Sequence, residues 1–131
     1  MTVDHIGIAV RSIDRALEFY RDTLGIEPAH RGVVAREKVE AAMLPAGASR
    51  IELLQPTAED SAVARFLERR GEGLHHLALR VDDIDAAVAA IRAAGRRLVA
   101  DSVQTGAEGY KYVFVHPSEA GGVLLELVQR G

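Results

Sequence analysis

One pattern occurs twice in this chain. His5-Ile6-Gly7-Ile8-Ala9-Val10-Arg11-Ser12-Ile13-Asp14 is followed 71 residues later by His76-Leu77-Ala78-Leu79-Arg80-Val81-Asp82-Asp83-Ile84-Asp85. Ile51-Glu52-Leu53-Leu54-Gln55 returns after 74 residues as Leu125-Glu126-Leu127-Val128-Gln129. A short insertion near Ser118 to Gly122 accounts for the difference, and Met43-Leu44-Pro45 and Val115-His116-Pro117 fall between the two blocks at an intermediate spacing. Each half therefore starts with a His and ends with a Glu. Internal repetition of this kind restricts the architecture before any local propensity is weighed.

Both halves read as the same series of elements. Val3 to Val10 alternates apolar and polar residues as a half-buried strand does. Ser12 or Asp14 then caps a helix, whose apolar stripe is Ile13, Ala16, Leu17, Tyr20 and Leu24, with Gly25 as its natural stop. In the second half Asp83 is the cap, Ile84, Ala87, Val88 and Ile91 are the stripe, and Gly95 ends it. Three strands follow each helix, near 27–34, 38–44 and 50–54 in the first half and near 97–101, 110–116 and 123–129 in the second. The prediction is an α+β fold of two tandem βαβββ modules, packed pseudo-symmetrically with their sheets curved around a metal site. The whole chain is read as a single domain, with module 1 at about 1–56, a linker at about 57–73 and module 2 at about 74–131. The linker holds a short helix after Asp60-Ser61, carrying Val63, Phe66 and Leu67, and it ends in Gly71-Glu72-Gly73.

Composition narrows the function. The 131 residues carry 16 Lys plus Arg against 19 Asp plus Glu, a net charge of −3. This gives no basic excess for nucleic acid. The chain has no cysteine, which excludes disulfides, zinc–thiolate sites and a thiol nucleophile. The N-terminus has no basic and apolar leader pattern, and no apolar run approaches a membrane span. The expectation is a cytoplasmic protein without nucleic-acid or membrane partners.

Two like modules about a pseudo-two-fold axis bring equivalent residues together. His5, Glu52, His76 and Glu126 would then form one cluster drawn from four strands. Two imidazoles and two carboxylates suit Co²⁺, Zn²⁺, Ni²⁺, Mn²⁺ or Fe²⁺, and ligand softness does not choose among them. An octahedral ion would keep two positions for water or for two substrate oxygens. Against this, a strand His is more often a hydrogen-bonded structural residue, and a strand Glu more often faces water. The apolar neighbours of Glu126 weigh the other way, because a charge buried among them needs a partner. His75 falls on the opposite strand face from His76 and is read as structural. His30 and His116 lie outside the repeat.

These residues carry a family resemblance. The double βαβββ pattern with His, Glu, His and Glu in register resembles the vicinal oxygen chelate superfamily, which includes glyoxalases, bleomycin-resistance proteins and dioxygenases. Within it, the chain looks like the methylmalonyl-CoA epimerases over nearly its whole length. The supporting segments are Asp4 to Val10, Ile51 to Pro56, Glu59-Asp60-Ser61, Gly71 to His76, Val81 to Ile84, His116-Pro117 and Gly121 to Leu127. The resemblance implies an isomerase that interconverts (R)- and (S)-methylmalonyl-CoA by 1,1-proton transfer through a metal-stabilised enolate. It implies His5, Glu52, His76 and Glu126 as metal ligands, some members having Gln where this chain has Glu52. It also makes Glu126 one acid/base group. A metal-bound carboxylate is less basic, so that double role requires it to shift or to bind through one oxygen.

The second acid/base group is assigned to Glu40, on the strand before the Glu52 strand. Alignment back from Pro45 supports it, whereas an ungapped alignment from Val39 puts Ala41 in its place. A one-residue slip reverses a strand side chain. Glu37 is a poorer alternative. Arg31, Arg36, Arg50, Arg96, Arg97 and Lys111 are candidates for the CoA phosphates, and the Gln104 to Lys111 loop is a candidate substrate cover. A homodimer is expected by resemblance. Two other readings share the fold: a glyoxalase I-type lactoylglutathione lyase, and a non-catalytic ligand-sequestering protein. An extradiol dioxygenase would more usually carry three ligands on a longer chain.

Overall fold

The computed structural model describes residues 1–106 and 109–131. The chain forms two compact units, one of residues 5–75 and one that joins residues 1–4 to residues 76–131. Both have the βαβββ order that the repeat predicts.

In the first unit, strand β1 (Thr2–Ala9) leads into helix α1 (Ile13–Leu17). The Ser12 side chain caps α1 by accepting from the Arg15 N–H. The helix then continues as π-helical turns over Glu18–Thr23, with the Leu24 N–H donating to the Phe19 carbonyl at 2.9 Å. The wider winding rotates the apolar stripe, so Leu24, expected to pack, is 53% exposed. Gly25 ends the element with φ 79°.

Strands β2 (His30–Val34), β3 (Val39–Ala46) and β4 (Ser49–Pro56) follow. β2 starts later than the sequence pattern suggests because Pro28 has no N–H to give to a ladder. The order is β2-β3-β4-β1, with β1 parallel to β4 and the other pairs antiparallel. One face of this sheet packs on α1 through Ala42, Leu44, Leu53, Ile13 and Leu17. The other packs on helix α2 (Ala62–Arg70) through Val39, Ala41, Leu54, Val63 and Leu67. The linker helix thus belongs to the first unit's core. Ser61 caps it and Gly71 ends it.

In the second unit, β5 (Gly73–Arg80) leads to α3 (Ile84–Ala93), capped by Asp83. Strands β6 (Gln104–Thr105), β7 (Lys111–Val115) and β8 (Leu125–Gln129) complete it. The order β6-β7-β8-β5 repeats that of the first unit. α3 covers one face through Ile84, Val88, Val113, Val115 and Leu127. The strand expected at 97–101 is reduced to one bridge between Leu98 and Val115. Only Leu98 of that segment joins the core, while Val99 is 56% exposed, so the segment has too little inward apolar surface to hold a strand.

The register also locates the insertion. Met43 lies opposite Glu52 and Phe114 opposite Glu126, so the two halves stay in step as far as Phe114. Three further residues then enter the β7–β8 connection, which carries a 3₁₀ turn at Pro117–Glu119. Pro45 is therefore equivalent to His116 rather than to Pro117, and the intermediate spacing in the sequence alignment is a one-residue error. Among the described residues, no helix is long and apolar enough to cross a membrane.

Candidate metal centre and its neighbours

Each unit places a His and a Glu at the same point of its sheet. In the first, Gly7 is the residue opposite Glu52, and His5 precedes it by two positions on the same face of β1. In the second, Ala78 is opposite Glu126, and His76 precedes it by two. The His5 Nε2 stands 3.6 Å from Glu52 Oε1, and the His76 Nε2 stands 3.3 Å from Glu126 Oε1. His5, His76 and Glu126 are buried, and Glu52 is nearly so.

The donor chemistry fits a divalent ion. Ligand atoms about 2.1 Å from a common ion, as Zn–N and Zn–O bonds are, lie roughly 3 to 3.5 Å apart. Both His–Glu separations fall close to that range. The donors lie on strands that hold them without the entropy cost of ordering loops. His75 does not share the site: its ring packs edge-on against Phe66 with centroids 5.1 Å apart. His116 is a local cap, its Nδ1 accepting from the Ser118 N–H at 3.1 Å. His30 is exposed on β2.

Glu40 is not on the face of Glu52. Its register partner is Gln55, whose Oε1 accepts the Ile13 N–H of α1 at 2.8 Å. Directly opposite residues of an antiparallel pair share a face, so Glu40 belongs to the α1 side. There Arg31 Nε donates to Glu40 Oε2 at 2.8 Å and Arg31 Nη1 to Asp14 at 2.6 Å. Asp14 is held below the ordinary carboxylate value by that guanidinium. Ala41 and Met43 are the residues of β3 on the Glu52 side, and the assignment of Glu40 as the second base is withdrawn. Glu37, the alternative, lies in the exposed 3₁₀ turn before β3.

Several basic residues have intrachain partners. Arg31 holds Asp14 and Glu40, Arg96 holds Glu119, and Arg97 donates to Ser118. Part of the Gln104 to Lys111 segment, Ala107 and Glu108, lies outside the described residues.

One network escaped the sequence reading. The Asp4 carboxylate, buried beside His5 in the chain, accepts from two arginines. Arg80 donates from Nε and Nη2 at 3.0 and 2.7 Å, and Arg130 from Nε and Nη2 at 2.9 and 2.7 Å. That contact raises the Arg130 pKa above its ordinary value, against the opposing effect of burial. Arg130 also lies over the Tyr110 ring, 4.9 Å from its centroid. The Tyr110 hydroxyl donates to Glu126 Oε2 at 3.2 Å. The signal available in the sequence was Asp4 itself, an acid at the start of a largely apolar strand.

Residues 4–114 match the glyoxalase/bleomycin resistance protein/dioxygenase superfamily. The chain belongs to that superfamily. Within it, the relatives of this vicinal oxygen chelate protein include methylmalonyl-CoA epimerases. The mitochondrial methylmalonyl-CoA epimerase of Homo sapiens is 34% identical over 97% of this chain and 73% of its own. The ethylmalonyl-CoA/methylmalonyl-CoA epimerase of Cereibacter sphaeroides is 35% identical over 97% and 96%. A variant of the Streptomyces coelicolor methylmalonyl-CoA epimerase, solved with 2-nitronate-propionyl-CoA, is 43% identical, with a TM-score of 0.93 over 100% of this chain and 98% of its own. Enzymes of that name are isomerases acting on an acyl-CoA.

Proposed function

We propose that this vicinal oxygen chelate protein is a methylmalonyl-CoA epimerase that exchanges the α-proton between the (R) and (S) forms of its substrate. The observation that carries this reading is the full-length likeness to an epimerase solved with an acyl-CoA analogue. The repeat-matched His–Glu pairs support it, because they supply the donors that such chemistry needs. In this reading the ion is held by the residues of both pairs, His5 with Glu52 and His76 with Glu126, the ligand set that the resemblance implies. When bound, the ion supplies Lewis-acid stabilisation of negative charge developing on the thioester oxygen.

The α-hydrogen of a malonyl-type thioester is acidic because both the thioester carbonyl and the carboxylate withdraw from the same carbon. Glu126 is the residue proposed to take or return that proton. Its burial keeps water from competing for the transfer, and its strand position fixes its approach. A positioned acid/base group of this kind contributes about 10²–10⁴-fold. The transfer on the opposite face falls to a group other than Glu40, which the fold holds on the α1 side. The reading includes a cytoplasmic homodimer with Co²⁺ as the metal of first choice.

The test is incubation of Co²⁺-loaded protein with (R)-methylmalonyl-CoA in D₂O, followed by NMR. Loss of the α-proton signal together with appearance of the (S) form is the expected result, and Glu126→Gln should suppress it by at least about 100-fold. Absence of exchange on methylmalonyl-CoA, with metal bound, would overturn the reading. Ethylmalonyl-CoA and a glutathione hemithioacetal, run alongside, would then show whether another acyl-CoA or a glyoxalase-type substrate takes its place.

A further inference from the structure

The two carboxylates of the repeat are not alike. Glu126 presents Oε1 to His76 at 3.3 Å, while Oε2 receives the Tyr110 hydroxyl at 3.2 Å. Tyr110 lies four residues before Phe114, the residue opposite Glu126. The equivalent place in the first unit, four residues before Met43, is Val39. Val39 is 3% exposed and packed in the apolar core under α2, so it offers Glu52 no hydroxyl. The repeat therefore supplies one carboxylate with a phenol on its second oxygen and leaves the other without that phenol.

We propose that Tyr110 is a positioning residue that restricts Glu126 to one-oxygen coordination of the metal, leaving the second oxygen oriented for proton transfer. The inference rests on the epimerase reading for its catalytic half and on the ligand assignment for its structural half. Tyr110 is itself braced. Its ring stacks on Tyr112 with centroids 5.6 Å apart, and Tyr112 in turn meets Phe114 edge-on at 6.1 Å. Arg130 covers the ring of Tyr110, and the buried Asp4 holds Arg130 through two N–H donors. A chain of fixed contacts thus runs from a buried carboxylate to the phenol, and a hydroxyl held this way directs the carboxylate at little entropic cost. It answers the chemical difficulty of a single glutamate serving as ligand and base: a carboxylate gripped on both oxygens by an ion has neither oxygen left for a proton.

The experiment uses the full chain, Co²⁺ alone as the first probe, and three proteins: the unaltered protein, Tyr110→Phe and Arg130→Gln. Tyr110→Phe keeps the ring, its stacking and the cation–π contact, and removes only the hydroxyl. Expected for Tyr110→Phe are an unchanged thermal transition of the metal-free protein and a changed visible Co²⁺ spectrum. A Co²⁺ Kd raised by about 10- to 100-fold is also expected. With methylmalonyl-CoA, kcat should fall while KM stays. Arg130→Gln should show the same effects in weaker form and add nothing in the double variant, since it acts through Tyr110. An unaltered spectrum and Kd in Tyr110→Phe would overturn the positioning role, whatever the substrate. Co²⁺ binding without α-proton exchange in the unaltered protein would overturn the epimerase reading, while the spectral comparison still decides the role of Tyr110. Failure of the unaltered protein to bind Co²⁺ would overturn the ligand assignment and the inference with it.

Discussion

His76 is buried, and its Nε2 faces a buried carboxylate oxygen. An imidazole and a carboxylate at that separation are donors of the kinds that a divalent ion takes. His76→Ala should therefore leave the fold intact while weakening Co²⁺ binding by more than about 100-fold, read by elemental analysis and titration. Full occupancy in that variant would refute His76 as a ligand. The His and Glu positions were legible in the sequence because the repeat put them in register. Glu40 was not, since its face depends on a one-residue choice that Val39 and Pro45 settle in opposite ways. The register of β3 against β4 decides it, by seating Glu40 across from Gln55 rather than Glu52.

The elements show how the repeated Gln55 and Gln129 are used. The first free N–H of α1 is received by Gln55 Oε1, and that of α3 by Gln129 Oε1, each at 2.8 Å. The last strand of each unit thus caps the helix that lies over it, joining elements far apart in sequence. Gln129→Ala should cost about 1–2 kcal/mol in urea unfolding, as a half-buried N–H loses its acceptor. A second clasp is Glu119, which accepts from the Arg97 N–H at 2.7 Å and pairs with Arg96 at 3.1 Å. These contacts hold the Glu119 pKa below its ordinary value of 4.5, the Arg97 N–H contributing most. Because the folded pKa is the lower one, the stabilisation is present above about pH 4.5 and is lost as pH falls through the folded value. Glu119→Gln should flatten that part of the acid limb of a stability–pH profile. The group is at the surface, so the effect will be small and reduced by salt.

For the molecule as a whole, the proposed metal binding would be linked to folding. An ion that binds only the folded chain stabilises it by about 2.7 kcal/mol at 100 times Kd. For a chain of this size that is a rise in Tm on the order of 10 °C. Chelation should lower Tm by that amount, and Co²⁺ should restore it. A Tm indifferent to chelator and Co²⁺ would count against a folded-state metal site.

The sequence by itself determined the double module, the helix cap at Asp83, the stops at Gly25 and Gly95, and the four matched His and Glu positions, and it left Ser12 and Asp14 as alternatives for the other cap. These are local or periodic properties, set by side-chain spacing and by the backbone freedom of particular residues. Tertiary structure alone decided the π-helical turns after Leu17, the reduction of the 97–101 strand, the face of Glu40 and the Asp4–Arg130–Tyr110–Glu126 chain. Each of these depends on which strand lies beside which and in what register. A hydrogen bond between residues 16 or 126 positions apart leaves no periodic trace in the sequence that forms it.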